Sequence, residues 1–600
     1  MPQQGITFAG AYIGLPGAYY ADDVSAALPN TPPVTPPLLF LGYGWGPKPK
    51  TPVTFVNPGD LQVALRGGPA AAYVPFMATP SPSLNGAQRI TFIDVSSNTQ
   101  SSLALLTTGA TTYATLTSTL YGPPSNQLTL QISTGSATGG SGSAGRKFTL
   151  VDNFAGVSLV GDNLGVPLQV AYSGASTGGV TMTVTSAAFA LTSPVSGESV
   201  TVPLGSGGFN TVSLLVEFLN GTSNYFANLL SATQGQLPSN FLSSQGSTLA
   251  APVSGVLQYQ NIFAVLNDPV FWINQFASTI ATAVTGSVSD TLQSLPVTGS
   301  AQFFSGATGV PPTNNDYASG LNVGLTVPAW AVFCDSNAIG VQALMAQHCI
   351  TASSVPYGMW RRGFTGSSIG DTVTTTITNS RALDTIQMNY LYPGIYRINT
   401  TTNQNQLYGG LYAAAMAAGM VTGNQVAIPL TNKPLIATGV ELANAGAALT
   451  TSQLVNLQNN GVMAVYMPNE TGIPTILSDV TTWEVDNNPE NTASQQVACR
   501  YWLAYSVVNV LQQYVGTIAA PVTEVNILNA MKNLLDALIY TGNSSNGVLT
   551  SWARKSLKLT YTGSTQTAAV TFNAILVDQN RYITAFATIL PLNFTIVNTG

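Results

Sequence analysis

Charge is what this chain lacks, and the scarcity limits what it can fold into more than any other feature. Of its 600 residues only 17 are Lys or Arg and 23 are Asp or Glu, 7% in all, where an average soluble protein carries roughly 25%. Gly, Ser, Thr, Asn and Gln must therefore supply the polar surface. Hydrophobic residues make up 45%, enough core material to exclude disorder for want of it. The net charge of −6 provides no basic field to gather nucleic acid or anionic lipid. A surface so weakly charged repels its own copies little, so the chain is expected to live packed against others. Its length suggests about three to five domains.

His348 is the single histidine, so no multi-histidine metal site exists. Cys334, Cys349 and Cys499 are too few and too scattered for a disulfide framework or a Cys-x-x-Cys zinc site; reduced, buried thiols are expected. The first ten residues have neither a basic n-region nor an apolar h-region, so no signal peptide is expected. Tyr501–Thr523 is uncharged, but with 40 charges in 600 residues such runs arise by chance. It also carries Asn509, Gln512 and Gln513, which hydrocarbon accepts poorly. No membrane insertion is expected.

Periodicity and turn signals read as an α+β, multi-domain chain. Residues 1–37 form an extended N-terminal arm in which Ile6, Phe8, Tyr12, Tyr19 and Tyr20 are spaced by Gly and Pro, ending in a proline-rich link. Residues 38–100 begin with the apolar run from Leu38 to Leu41, suited to a buried strand; Asn57-Pro58-Gly59-Asp60 then opens a short helix. Residues 101–310 read as an inserted β-rich region with two helix-length apolar segments at 211–232 and 270–295. Over 311–490 strands (Val327–Phe333, Met388–Tyr392) alternate with helices (Ala338–Ile350, Leu407–Met420), the last rich in small residues. Residues 491–600 hold two helices. In the second, Val525, Leu528, Met531, Leu535 and Leu538 recur at helical spacing, with Gly542 placed as a C-cap. Strand-like runs follow at Leu557–Tyr561, Ala569–Val577, Tyr582–Leu590 and Asn593–Val597.

Catalytic signatures fail on context. Gly174-Ala-Ser176-Thr-Gly178 lies between strand-like runs and reads as a hairpin turn. Gly366-Ser-Ser368-Ile-Gly370 precedes a Thr-rich stretch read as non-helical, so neither has the strand–serine–helix order of a nucleophile elbow. The Gly140–Lys147 stretch continues into a strand rather than the helix a phosphate loop requires. Asp22-Asp23 and Glu484-Val-Asp486 are the tightest acidic sets and read as solvated loops. No enzyme, metal or cofactor is expected. Arg554, Lys555 and Lys558 form the densest basic cluster.

Several segments together resemble the tail sheath proteins of contractile bacteriophages, a family related to R-type bacteriocin and type VI secretion sheaths. Gly14-Leu-Pro-Gly17-Ala-Tyr-Tyr20-Ala-Asp-Asp23-Val is similar to the family's "PGVYVEEV", with aspartates in place of glutamates. Phe40-Leu-Gly42 through Pro47, then Pro52 to Leu61, resembles its "F-x-G…GP…P-x-x-I-x-S-x-x-D-F" opening. Arg361–Gly366, Asn379-Ser-Arg381 and Tyr392-Pro393-Gly394 resemble its "S/N-x-R…YPG" region. Ala413–Gly419, Pro429–Lys433, Leu457–Val462 and Asp479–Thr482 are similar to its "AAxxAG…PLTNK…LNxxGV…ITT" series, and residues 494–515 to its C-terminal-domain helix. The order holds along both flanks, while 100–300 matches poorly.

The resemblance implies an α/β sheath core carrying an inserted β-rich outer domain and extended terminal arms. It implies a structural subunit of a virion tail, assembled in the bacterial host cytoplasm as stacked hexameric rings around a tail tube protein and bounded by baseplate and tail terminator proteins. The terminal arms, with Ile6, Phe8, Tyr12, Tyr19, Tyr20, Asn593, Phe594 and Ile596, would add strands to neighbouring copies. Arg554, Lys555 and Lys558 would face the tube. The rival readings are a surface-layer or other virion protein, and a polysaccharide-degrading enzyme with a carboxylate pair.

Overall fold

The structure is a computed structural model that describes residues 6–8, 11–13 and 37–579, apart from 138–139, 142–143, 207, 292–293, 355–357, 444–445, 469–471, 487, 543–546 and 563–566. The uncharged run Leu38–Gly42 is wholly buried in the middle of an eight-stranded sheet. In spatial order its strands are Thr475–Ile476, Val462–Tyr466, Met388–Tyr392, Arg362–Gly366, Ala331–Cys334, Leu38–Gly42, Ile90–Asp94 and Val53–Phe55. The inner six run parallel and the two edges antiparallel. Parallel strands need cover on both faces, and five of the six are buried at every position. One face packs on Phe40, Phe92, Phe333, Phe364 and the helix Gly410–Gly423. The other packs on Leu39, Ile93, Val332 and Tyr390, under Asn314–Gly324 and Ile339–Ala352. Asn57 caps the short helix Pro58–Ala64, its side chain accepting from the Gly59 amide.

Small residues let the Gly410–Gly423 helix seat directly on backbone. A Cβ at Gly419 would come within 2.4 Å of the Met77 carbonyl oxygen, and one at Gly423 within 2.0 Å of the Gly86 carbonyl oxygen. The helix starts three residues later than its composition suggests. Gln404–Tyr408 is drawn into a strand against Ile395–Asn399, and Gly409 breaks the chain before the helix. Val327–Phe333 is likewise shortened to Ala331–Cys334, because Pro328 lacks the amide a ladder needs.

The segment between Ile90–Asp94 and Ala331–Cys334 folds as two β lobes. Tyr113, Leu116, Leu130, Phe148 and Trp272 share one core, and Val170, Tyr172, Met182, Phe189 and Leu215 the other. Neither long helix expected here forms. Val212–Asn220 stops at Gly221 and the chain turns into the strand Tyr225–Leu229; Asp268–Phe276 gives way to the strand Ala281–Thr285, where Ala281 and Ala283 alternate inward. The first lobe is tied to the central sheet region. Arg66 and Asp152 pair at 3.2 Å with side chains only 17% and 5% exposed, Arg66 also lies 5.7 Å over Phe154, and Gly46 and Tyr121 exchange backbone hydrogen bonds at 2.9 and 3.1 Å.

At the N-terminus, Ile6–Phe8 and Ala11–Ile13 are strands that pair antiparallel with one another.

Candidate assembly interface

Several of the segments that carry the sequence resemblance meet in space. The Ser380 hydroxyl donates to the Gly461 carbonyl at 3.2 Å, Thr482 donates through its hydroxyl to the Thr385 carbonyl at 3.0 Å, and the Leu430 amide donates to Asp479 at 3.2 Å. The Asp479 amide in turn donates to the Thr431 hydroxyl at 3.0 Å. Arg362, buried at the start of its strand, donates to the Ser494 carbonyl and hydroxyl at 3.1 and 2.9 Å. That contact joins the central sheet to the helix Ser494–Gln512. Sequence reading missed this joint, although two adjacent arginines after Trp360 stand out in so charge-poor a chain. Trp330 packs edge-on to Trp502 with centroids 5.8 Å apart, and Trp360 edge-on to Tyr505 at 4.9 Å. The Gln495 side chain donates to the Val577 carbonyl at 3.1 Å, bringing the end of the described chain to the same seam.

Beyond this seam the C-terminal part opens to solvent. The helix Pro521–Ala537 buries Ile527, Met531 and Leu535, with Leu538 beyond it. Val525, expected on the same stripe, is 55% exposed, and with Val522 (71%) and Ile518 (83%) leaves an apolar strip uncovered. The helix ends at Ala537 with Leu538 as its cap, so Gly542, at φ +82°, belongs to the following turn and is not the cap residue. The expected strand Ala569–Val577 is split. Among the described residues Lys558–Thr562 pairs with Thr567–Thr571, and Leu549–Trp552 with Ala574–Leu576, in two small two-stranded sheets. Leu559 and Val570 stand opposite one another and lean on the helical core.

The basic cluster is not the free patch its sequence suggests. Arg554 donates to both Asp536 carboxylate oxygens at 3.1 Å, and Trp552 Nε1 donates to the same carboxylate at 2.9 Å. Asp536 thus holds the small sheets to the helix, leaving Lys555 and Lys558 exposed. Ile6, Phe8 and Tyr12 fall on the paired N-terminal strands; Tyr19, Tyr20, Asn593, Phe594 and Ile596, and the run Tyr582–Leu590, lie outside the described residues.

The catalytic candidates are placed in structural roles. Ser176 donates to the Gly179 carbonyl inside a turn. Ser368 does have a helix after it, Val373–Leu383, contrary to the sequence reading: Thr372 caps it by accepting from the Thr375 amide, a helix start that a run of threonines obscures. That helix begins five residues beyond the serine, however; the Ser368 hydroxyl accepts from Asn337 at 2.8 Å and its amide donates to Asp371 at 2.8 Å. His348 is buried 3.1 Å from the Arg361 guanidinium. Burial, then the Arg361 charge, push it down to about 3, so it is neutral. Arg361, fully buried, donates to the Gly324 and Val327 carbonyls at 3.0 Å each, closing the C-terminal end of Asn314–Gly324. Glu484, half-buried rather than solvated, pairs at 3.0 Å with Arg381 of the helix Val373–Leu383. All three cysteines are buried and free.

Doubly wound sheets bind ligands where the strand order reverses, beyond the carboxyl ends. Here the reversal lies between Leu38–Gly42 and Ala331–Cys334, and the chain fills it. The Tyr43 amide donates to Asp335 at 2.7 Å, the Tyr317 hydroxyl donates to the other oxygen, and a Cβ at Gly42 would lie 2.9 Å from both Asp335 and Ala70. Asp94 beside it accepts from Ser96 and Asn98. Burial pushes both carboxyls up to about 6. Among the described residues no group of three or more His, Cys, Asp or Glu is placed to hold a metal, and no helix is long and apolar enough to cross a membrane.

No protein-family model matches the chain, and no curated protein does. Among solved structures it is similar to the sheath tail protein Lin1278 of Listeria innocua, at 10% identity and a TM-score of 0.55 over 91% of this chain and 92% of that one. It also matches the sheath tail protein DSY3957 of Desulfitobacterium hafniense, at 11% identity and a TM-score of 0.47 over 90% and 97%. The helical sheath of the anti-feeding prophage in its contracted state matches over 47% of this chain and 78% of its own, at 14% identity and a TM-score of 0.35. At 10% identity the first match establishes architecture, and it does so along nearly the whole of both chains: this chain has the fold of a sheath tail protein.

Proposed function

We propose that the chain is the tail sheath subunit of a contractile phage tail. Copies polymerise as stacked hexameric rings around an inner tail tube and contract to drive the tube through the host envelope during genome delivery. The fold shared with Lin1278 along nearly all of both chains carries this reading. The ordered sheath-like segments, several of which are hydrogen-bonded to one another, support it independently. In this reading 38–100 and 311–490 are the α/β core, 101–310 an outer domain, 491–600 the C-terminal domain, and 1–37 with the last residues the arms. Partners are further copies, the tube protein, and baseplate and terminator proteins, in the virion tail. The subunit is structural rather than enzymatic: the energy of contraction is stored in the lattice at assembly, and a few kcal/mol per subunit suffices when summed over many rings.

Electron microscopy of the purified protein tests the proposal. Hollow striated cylinders are expected, and deletion of residues 1–24 together with 593–600 should abolish them. Flat two-dimensional crystals, or monomers that turn over polysaccharide, would overturn it.

A further inference from the structure

The joint between the two β lobes is built around a carboxyl that has no counter-charge. The chain leaves the first lobe at Leu164 and enters the second at Leu168; it comes back between Ala264 and Trp272. These two crossings are tied together at one point. The Ala264 amide donates to the Gly165 carbonyl at 3.0 Å, and the Gly165 amide to Asp268 Oδ2 at 2.7 Å. Gln234, on the short helix Ala232–Gln236, donates through Nε2 to the same Oδ2 at 2.6 Å and to the Asn163 carbonyl at 2.8 Å. Asn163 and Gly165 both hold positive φ, +57° and +88°, so the first crossing is a fixed turn.

Asp268 and Gln234 are each 1% exposed, and each keeps one oxygen, Oδ1 and Oε1, without a partner. Buried polar atoms are rarely left so, and a buried carboxylate with no counter-charge costs more still. Among the described residues no cation pairs with Asp268. Tyr113 gives its hydroxyl to the Val265 carbonyl, Asp290 accepts from Ser243, Asp162, with Lys147 near it, accepts from Ser136, and Arg146 reaches the Pro296 carbonyl. The helix Ala232–Gln236 and the strand Ala281–Thr285 carry no titratable side chain. Burial pushes the Asp268 carboxyl up from 3.8 to about 7.

We propose that Asp268 is held as the neutral acid and that its proton bridges Oδ1 to Gln234 Oε1, closing an acid–amide pair that latches the two crossings. Each orphan oxygen shares a carbon with an atom of the 2.6 Å bond, so one proton between them satisfies both. Opening the joint admits water, in which the freed carboxyl ionises at an ordinary 3.8. Opening therefore becomes easier as pH rises from about 4 to 7, by up to about tenfold per pH unit, and changes no further above 7, where the closed form has lost the proton too. The lobes are joined stiffly in acid and loosely at neutral pH. This latch needs no second copy and stands apart from the sheath reading.

Amide hydrogen exchange of the full-length protein, read as protection factors at Gly165 and Ala264 from about pH 5 to about pH 8, tests the latch. Wild type is expected to lose protection by about tenfold per pH unit up to about 7 and then to level off. Asp268→Asn makes the same three hydrogen bonds without a proton to lose, and should keep its protection throughout. Infrared difference spectra of wild type against that variant, at about pH 5, should show the C=O stretch of a protonated carboxyl. Protection in wild type that stays flat up to pH 7 would overturn the proposal, and this reading needs no variant. So would an Asp268→Asn protein that folds but has lost protection at these amides already at pH 5. Protection that is flat in pH yet lost on adding EDTA would overturn it in favour of a bound metal ion.

Discussion

The central sheet and the C-terminal strands are made of equally uncharged sequence and end in opposite situations. Leu38–Gly42 has a parallel neighbour on each side and a helical layer on each face. Thr567–Thr571 has one neighbouring strand among the described residues and one partly covered face. Sparse charge alone therefore does not say whether a strand is interior or peripheral. What decides is whether the fold supplies both neighbours and cover on both faces.

The contrast can be broken first at the seam between the two regions. Trp502→Ala empties the contact with Trp330 and should cost about 3–5 kcal/mol in denaturant unfolding; a loss below about 1 kcal/mol would mean that the C-terminal helices do not depend on the central sheet. Next, Gly423→Ala forces a methyl onto the Gly86 carbonyl and should cost about 1–3 kcal/mol. The same change at Gly542, where a Cβ meets nothing, strains only the backbone and should cost less.

Acidity should distinguish the regions too. Asp94 and Asp335 are raised from an ordinary 3.8 to about 6, so the folded state holds protons that the unfolded chain releases. Their contribution to stability therefore grows as pH falls from about 7 towards 4. Asp316 runs the other way: the Thr313 amide, then Lys50, hold it down to about 2, so its contribution is lost as pH falls from about 4 through 2. These three groups predict greatest stability near pH 3–4, read as melting temperature against pH, and Asp94→Asn should flatten the upper limb. The smallest effect belongs to the exposed Arg554–Asp536 pair: Arg554→Ala should shift unfolding by at most about 1 kcal/mol.

Much of this fold could be read from particular residues. Met388–Tyr392 is the strand its apolar run announces, Ile339–Ala352 the expected helix, and Asn57 the expected cap. Errors arose where long-range pairing overrode local composition. Thr282 and Val284 in a long apolar stretch went to a sheet because Thr112–Tyr121 was there to pair with them, and Gln404–Tyr408 left a helix for the same reason. The Arg362–Ser494 joint spans more than a hundred residues, and no local pattern announces it. The Arg554–Asp536 pair was likewise not legible, because residues eighteen apart become adjacent only through the fold of the helix and sheet.

Hydrogen–deuterium exchange over the two small C-terminal sheets, in dispersed and in polymerised protein, tests the sheath reading most directly. Amides of these sheets should become more protected in the polymer than in the monomer. A polymer that forms while those amides go on exchanging at the monomer's rate would contradict it.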